Sequence, residues 1–176
     1  GLGTIQPSQA DYFQNTKGGG NGDYRNIVLA PASVQEMCDF VALGFELAFK
    51  YRMATCILSD GAIGQMMEKV VLPEQKPRMS DEEIKAKYPW AINGSKNGTQ
   101  HRVITSLDLD SAKMEEHNMH LQKKYKEVEA NEVRYEMINC EDAEYVFVAY
   151  GSSARIAQKS VQLGREAGLK VGLLHS

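Results

Sequence analysis

The sequence predicts an α/β protein with a parallel sheet, because an apolar strand, an amphipathic helix and a second apolar strand follow one another twice. The first set occupies, in order, residues 27–30, 33–51 and 54–58. The second set occupies residues 145–150, 153–167 and 169–174. Because a helix of this length that joins two strands returns the chain parallel to its start, each set predicts one βαβ unit.

Local signals set the bounds of the first unit. Residues 27–30 are a continuous apolar run that ends at Pro31, which is typical of a strand buried on both faces. Ser33, with Glu36 three residues later, predicts a capping box at the start of the helix. The face of this helix that we expect to meet the core is the apolar series Val34, Met37, Cys38, Val41, Phe45 and Ala48.

The remaining segments are less regular. A short helix is predicted at residues 8–16, between glycine-rich turns, and residues 73–109 are predicted to be irregular because prolines interrupt them. A charged helix is predicted from Asp110 to about Arg134. Its narrow seam indicates packing against a single neighbour, which another subunit could supply, and consists of Met114, Asn118, Leu121, Tyr125 and Val128.

Composition excludes several classes of protein. The chain has 176 residues, 43% of them hydrophobic and 24% charged, which is typical of a folded domain rather than a disordered one. A net charge of −3 argues against a nucleic-acid-binding surface. The three cysteines are odd in number and widely spaced, so a zinc ribbon or an iron–sulfur cluster held by this chain is not expected. They favour a reducing cytoplasm.

Two glycine-rich segments are the candidate ligand loops. Residues 1–11 lack the glycine spacing of a dinucleotide site, and from the residues alone a surface loop is favoured. As a ligand loop, this segment would offer neutral hydrogen bonds from Thr4, Gln6 and Ser8. Residues 18–23 hold four glycines in five positions, and a close approach to a ligand and a simple turn are equally good interpretations.

The other polar groups favour structural roles. Asp60 is expected to cap a helix, His117 and His120 to lie on a polar helix face rather than to bind a metal, and residues 151–153 to form a simple N-cap. The scattered histidines do not assemble a Ser/His/Asp or Cys/His nucleophile set.

Long motifs nevertheless carry a resemblance over nearly the whole chain. They are GLGTIQPSQADYFQ (1–14), GGGNGDYR (18–25), IVLAPASVQEM (27–37), LSDGAIGQMME (58–68), EEHN (115–118), NEVRYE (131–136) and VAYGSSAR (148–155). With these motifs the chain resembles the alpha subunit of the 2-oxoacid:ferredoxin oxidoreductases, and most of all their branched-chain (2-oxoisovalerate) type.

The resemblance implies a fold and its domains. Residues 1–109 would be the C-terminal part of the pyrimidine-type thiamine-diphosphate-binding domain, with a parallel sheet. Residues 110–142 would be a linker helix, and residues 143–176 would start a transketolase C-terminal-like α/β domain.

The resemblance also implies an activity. The reaction is the thiamine- and coenzyme-A-dependent oxidative decarboxylation of a branched-chain 2-oxoacid, with electrons passed singly to ferredoxin. Thiamine diphosphate would be shared with the partner beta subunit. Magnesium and the iron–sulfur clusters would belong to other subunits, with no metal and no catalytic acid or base from this chain.

The same resemblance suggests one wall of the substrate pocket, near the thiazolium. Its residues are Gly3, Thr4, Gln6, Ser8, Gly19, Gly20, Asn21, Gly22 and Asp23. Many relatives carry His where this chain has Asn21. One alternative is a non-catalytic assembly module that docks through the seam of the charged helix. Another, a nucleotide-binding Rossmann domain, is disfavoured because the glycine fingerprint is missing.

Overall fold

The computed structural model describes residues 12–17, 20–22, 24–92 and 103–176. Its elements are α1 (Tyr12–Thr16), β1 (Ile27–Leu29), α2 (Val34–Tyr51), β2 (Thr55–Ile57), α3 (Gly61–Gln65), α4 (Asp81–Lys87), α5 (Ser111–Glu132), β3 (Glu136–Ile138), β4 (Tyr145–Ala149), α6 (Gly151–Glu166) and β5 (Val171–His175). They belong to two compact parts, a larger one of Gly1–Leu72 with Leu121–Ser176 and a smaller one of Pro73–His120. Within the described ranges, no helix combines the length and the apolar character that crossing a membrane requires.

The first βαβ unit, β1–α2–β2, forms as predicted. Its strands pair in parallel, with Ile27 opposite Thr55 and Leu29 opposite Ile57. The core of this unit consists of Ile27, Leu29, Leu47 and Tyr51, all buried. The apolar strands and the helix therefore bury one another, which is the main source of stability for such a unit.

The face that α2 buries differs from the predicted one. Val41 and Phe45 are 47% and 64% exposed, whereas Gly44, Leu47 and Tyr51 are buried. A Cβ atom at Gly44 would lie 3.4 Å from the Thr55 methyl group, so the glycine gives this face its close approach to β2. The prediction was wrong because α2 carries apolar residues on two faces, and spacing alone does not say which face meets the sheet.

The caps of the first helices follow the predicted residues with one change. The Ser33 hydroxyl accepts a hydrogen bond of 3.1 Å from the Glu36 amide, but the Glu36 carboxylate accepts from the amide of Ala32 at 2.6 Å rather than from that of Ser33. The hydrogen bond from the backbone to the Glu36 side chain therefore comes from one residue earlier than in a standard capping box. Asp60 caps α3 as predicted, with its Oδ1 atom 2.9 Å from the amide nitrogen of Ile63.

The second βαβ unit, β4–α6–β5, carries an extra strand. The sheet order is β3–β5–β4, with β4 parallel and β3 antiparallel to β5. The parallel pair was predicted and β3 was not. The core of this unit consists of Val161, Val171 and Leu173.

Helix α6 starts differently from the prediction. It begins at Gly151, which has φ +57°, and its N-cap residue is Tyr150, whose side chain makes no capping hydrogen bond. The predicted N-cap at residues 151–153 is therefore wrong, because the N-cap residue is Tyr150. The positive φ explains why glycine suits this position, since other residues are strained there.

The smaller part, described by itself, contains α4 within the segment predicted to be irregular. Ser80 and Glu83 form a complete capping box: the Glu83 amide donates to the Ser80 hydroxyl at 3.3 Å, and the Ser80 amide donates to the Glu83 carboxylate at 2.7 Å. Such a box explains how a helix of seven residues begins in a proline-rich segment.

Helix α5 has the predicted narrow seam. Tyr125 is buried, and Val128 packs against the core of the first βαβ unit. The neighbour of this part of the seam is therefore the same chain. The α/β class and the parallel pairing are confirmed, while the predicted domain bounds at residues 109 and 142 stay predictions.

Candidate functional site

The candidate site is a cavity of about 510 Å³ within the larger compact part. Strand β1 forms one wall along its whole length, from Asn26 to Ala30. The last turn of α5 and the segment that follows it form the second wall, and the ends of β4 and β5 form the third. Its lining includes Tyr12, Thr16, Asn26, Leu29, Ala30, Glu36, Phe40, Val128, Glu132, Arg134, Tyr135, Glu136, Tyr150 and His175. The cavity also reaches the carboxyl ends of the parallel strands, at Ala30, Tyr150 and His175, and this is where α/β folds bind ligands.

Helix α1, which follows the first glycine-rich segment in the sequence, lies at this cavity. Its residues Tyr12 and Thr16 line the wall, and the Tyr12 ring lies against that of Tyr150 with 5.7 Å between centroids and 36° between planes. On its other side, α1 is tied to β2, because the Cys56 thiol donates to the Asn15 side-chain oxygen at 3.6 Å. The helix that directly follows residues 1–11 is therefore part of the cavity wall.

Three of the nine predicted pocket residues lie within the described part. Gly20, Asn21 and Gly22 are exposed, and none of them lines the cavity. Gly22 has φ +98°, a backbone conformation that favours glycine. The other six lie outside the described residues: Gly3, Thr4, Gln6, Ser8, Gly19 and Asp23. The assignment of all nine stays a prediction.

One carboxylate of the wall, that of Glu132, is fully occupied by hydrogen bonds. Its Oε1 atom accepts from the Lys50 ammonium and the Tyr51 hydroxyl, each at 2.7 Å, and its Oε2 atom accepts from the Arg134 guanidinium at 3.2 Å. These hydrogen bonds, from Lys50 first and then Tyr51, lower the pKa of Glu132 to about 2, and the same contact raises the pKa of Lys50. Glu132 therefore stays ionised and holds the wall together rather than transferring protons.

A second, smaller cavity of about 300 Å³ adjoins the first and shares Glu36, Glu136 and His175 with it. Glu136 and His175 face each other across the antiparallel pair of β3 and β5. The polar walls of the two cavities thus meet where the amino end of α2 approaches the second βαβ unit.

The remaining polar candidates lie elsewhere. Asp60 is engaged in capping α3, and His117 and His120 are exposed on α5. Within the described ranges, no three His, Cys, Asp or Glu side chains are grouped as metal ligands would be. Sequence reasoning did not single out Tyr150, Glu132 or Arg134, which line the same cavity in the fold.

The lining sets what the cavity can hold. Aromatic and aliphatic side chains such as Tyr12, Phe40 and Val128 suit the ring of an organic ligand, while the polar side chains beside them can orient it. Glu36, Glu129 and Glu136 make the wall acidic, which disfavours a ligand's phosphate or carboxylate there.

These features define an α/β domain with an organic-ligand site at the ends of its strands. The family model for the thiamine-diphosphate-binding domain of pyruvate flavodoxin/ferredoxin oxidoreductases matches residues 3–140. The chain belongs to this family, and the resemblance seen in its motifs is confirmed.

The similar proteins have related names. The chain is 52% identical over 174 residues to ketoisovalerate oxidoreductase subunit VorB of Methanothermobacter marburgensis, and 48% identical over 174 residues to VorB of Methanothermobacter thermautotrophicus. It is also 35% identical over 194 residues to 2-oxoglutarate synthase subunit KorA of Methanocaldococcus jannaschii. Each of these matches covers 99% of this chain, but the chain spans about half the length of these relatives: 48% of each VorB and 52% of KorA.

A solved structure has the same fold. The 2-oxoglutarate:ferredoxin oxidoreductase from Magnetococcus marinus, with 2-oxoglutarate, coenzyme A and succinyl-CoA bound, superposes with a TM-score of 0.72 at 21% identity. The match covers 98% of this chain and 35% of that one.

Proposed function

We propose that this chain is part of the alpha subunit of a 2-oxoacid:ferredoxin oxidoreductase that acts on branched-chain 2-oxoacids. The reaction converts the 2-oxoacid and coenzyme A into an acyl-CoA and CO₂, and the two electrons released pass one at a time to ferredoxin. The observation that carries the proposal is the identity of 52% along 99% of the chain to a ketoisovalerate oxidoreductase subunit, against 35% to a 2-oxoglutarate synthase subunit.

The cavity supports a role in holding thiamine diphosphate. When bound, this cofactor stabilises the carbanion left after loss of CO₂. The aromatic and aliphatic part of the wall, with Tyr12 and Phe40, fits a heterocyclic ring, whereas Glu36 and Glu136 do not fit a diphosphate. We therefore assign the ring to this chain, and the diphosphate with its magnesium ion to the beta subunit.

In this arrangement the chain's residues bind and orient. Helix α1 would hold the first glycine-rich segment at the mouth of the cavity, because Tyr12 and Thr16 already line it. Thr4, Gln6 and Ser8, together with residues 19–23, would form the wall next to the substrate. The beta subunit, the iron–sulfur subunits and ferredoxin are the proposed partners, and the cytoplasm is the proposed compartment.

Substitution in the complete complex tests this proposal. Thr4→Ala and Gln6→Ala should lower turnover of 2-oxoisovalerate without loosening assembly, measured by ferredoxin reduction and by size-exclusion chromatography. Full activity in both variants would instead favour the alternative of a non-catalytic assembly module.

A second experiment addresses the subunit assignment. This polypeptide alone, given thiamine diphosphate, 2-oxoisovalerate and coenzyme A, should reduce no electron acceptor. Turnover by the isolated chain would contradict the proposal. Tight binding of a dinucleotide would favour the Rossmann alternative.

A further inference from the structure

The two βαβ units meet at the amino ends of their helices. The first turn of α6 lies against the loop before α2, where a Cβ atom at Gly151 would be 3.7 Å from the Pro31 carbonyl oxygen. The Pro31 side chain is fully buried, and Ala154 in the same turn of α6 is 1% exposed. This junction is therefore a packed contact rather than a loose approach.

Arg155 connects the two units at this junction. Its guanidinium forms an ion pair with Glu68, in the segment after α3, and also donates to the Ala32 carbonyl oxygen at 3.4 Å. The other Glu68 oxygen accepts from the amide of Val34 at 3.1 Å. One carboxylate thus joins the first residue of α2 to a side chain of α6.

The ion pair between Arg155 and Glu68 is held by more contacts than an ordinary surface ion pair. The Arg155 and Glu68 side chains are 38% and 30% exposed, so their Coulomb attraction alone is weak. However, Glu68 also satisfies an unpaired amide at the amino end of α2, where the helix dipole favours a negative charge. The hydrogen bond from Arg155 first, and that from the Val34 amide second, lower the pKa of Glu68.

The connection lies beside both cavities. Ala30 and Glu36, on either side of the Ala32 carbonyl, line the large cavity from the first unit, and Tyr150 lines it from the second. Arg155 itself lines the smaller cavity. Movement of the first turn of α6 relative to the start of α2 would therefore change the separation of these walls.

We propose that Arg155 is a positioning residue, which holds the second βαβ unit against the amino end of α2 through Glu68 and the Ala32 carbonyl and so sets the width of the candidate cavity. The inference concerns the cavity that the proposed function uses. Its test measures the junction itself, so failure of the proposed reaction and failure of this inference are distinguishable.

Amide hydrogen exchange, followed by mass spectrometry on the full-length protein in its complex, tests the proposal. In Arg155→Gln, exchange in peptides covering residues 31–36 and 150–155 should rise about three- to tenfold. Glu68→Gln should affect the same peptides, and the double variant should add little to either single change, because both remove one interaction. Arg155→Lys should restore part of the protection. A lysine keeps the positive charge but lacks the planar guanidinium, which bonds Glu68 and the Ala32 carbonyl at the same time.

Arg165→Gln is the matched control. Arg165 pairs with Asp142 at 2.7 Å and donates to the Asn139 carbonyl, all within the second unit and its β3 extension. Its loss should raise exchange near residues 139–142 and leave residues 31–36 unchanged.

Two results would overturn the proposal. One is unchanged exchange at residues 31–36 in both Arg155→Gln and Glu68→Gln. The other is a rise of similar size in peptides across the whole chain, which would mean a general loss of stability rather than the loss of one junction. If Arg155→Gln fails to fold, Glu68→Gln alone decides between the same outcomes.

Discussion

The Tyr51 hydroxyl donates a hydrogen bond of 2.7 Å to the carboxylate of Glu132, although 81 positions separate the two residues in the chain. Tyr51 is the last residue of α2, and Glu132 is the last residue of α5. Lys50 and Arg134 complete the coordination of the carboxylate. Hydrogen bonds to one carboxylate thus join the carboxyl ends of α2 and α5, two helices far apart in sequence, at one wall of the candidate cavity.

Glu132→Gln should lower the free energy of unfolding by about 1–3 kcal/mol at pH 7, because the Glu132 side chain is 8% exposed and its hydrogen bonds are charge-assisted. The folded-state pKa of Glu132 is about 2, below the ordinary 4.5. Its contribution to stability is therefore complete above pH 4.5 and is lost as the pH falls from 4.5 towards 2. Urea unfolding at pH 7 and at pH 3 measures both effects.

The exposed Glu127 on the same helix offers a control for this prediction. Glu127→Gln should leave the unfolding free energy within about 0.5 kcal/mol of the original protein. Equal losses in the two variants, or a loss in Glu132→Gln that stays constant between pH 7 and pH 3, would contradict the role of Glu132.

Gly172→Ala should destabilise the second βαβ unit. A Cβ atom at this position of β5 would lie 2.7 Å from the Asn139 carbonyl oxygen and 3.0 Å from the Cys140 sulfur. Because backbone has to move to relieve such an overlap, we expect a loss of about 1–3 kcal/mol in thermal or urea unfolding. Gly64→Ala, where nothing lies within 4 Å of the added carbon, should be neutral or slightly stabilising. A tolerated Gly172→Ala would mean that β5 and the Asn139 turn are less closely packed.

Ser80→Ala should weaken α4 by about 1 kcal/mol, because it removes the hydroxyl that accepts from the Glu83 amide. Hydrogen exchange of the amides of Asp81–Lys87 should accelerate by about fivefold, while exchange in β5 stays the same. Ser59→Ala is the comparison, since the hydrogen bond of the Ser59 hydroxyl in the described part of the chain is a long one, of 3.4 Å, to the neighbouring Asp60 carbonyl. No change in the exchange of α4 would show that the capping box contributes little there.

Tyr12→Ala should lower kcat/KM of the complete enzyme by about ten- to hundredfold, because it removes the ring that packs on Tyr150 and supports the proposed substrate wall. Ferredoxin reduction with 2-oxoisovalerate provides the measurement. Phe13→Ala, next to Tyr12 on the same helix but 64% exposed and outside the cavity lining, should have less than about a threefold effect. Similar losses in the two variants would mean that α1, rather than the Tyr12 ring, carries the effect.

Sequence reasoning succeeded where signals are local. The βαβ units were predictable because their apolar strands and helices lie next to one another in the chain. Strand β3 was missed because it has only three residues, one of them the charged Glu136, and only its pairing with β5 makes it a strand. Helix α4 was missed although the pattern of Ser80 and Glu83 is a recognisable start signal.

The residues of the candidate site were harder to predict from the sequence than the βαβ units. Glycine content drew attention to residues 18–23, whereas the cavity is built from parts of the chain far from one another, such as Tyr12 and Tyr150. The carboxylate of Glu132 gains its partners only when α2 and α5 meet. No spacing rule relates such residues, because tertiary packing brings them together.

The central position of β5 has a consequence for synthesis of the protein. Strands β3 and β4 each pair with β5 and not with each other. Because β5 follows both in the sequence, both leave the ribosome before the strand with which they pair. Until residues 171–175 have emerged, the backbone of β4 lacks its β5 partner, and the apolar side chains Val146, Phe147 and Val148, which stay exposed in the folded unit, lie beside it. The nascent chain at this stage is therefore the form most open to chaperone binding and to aggregation, and the second sheet closes in a single late step.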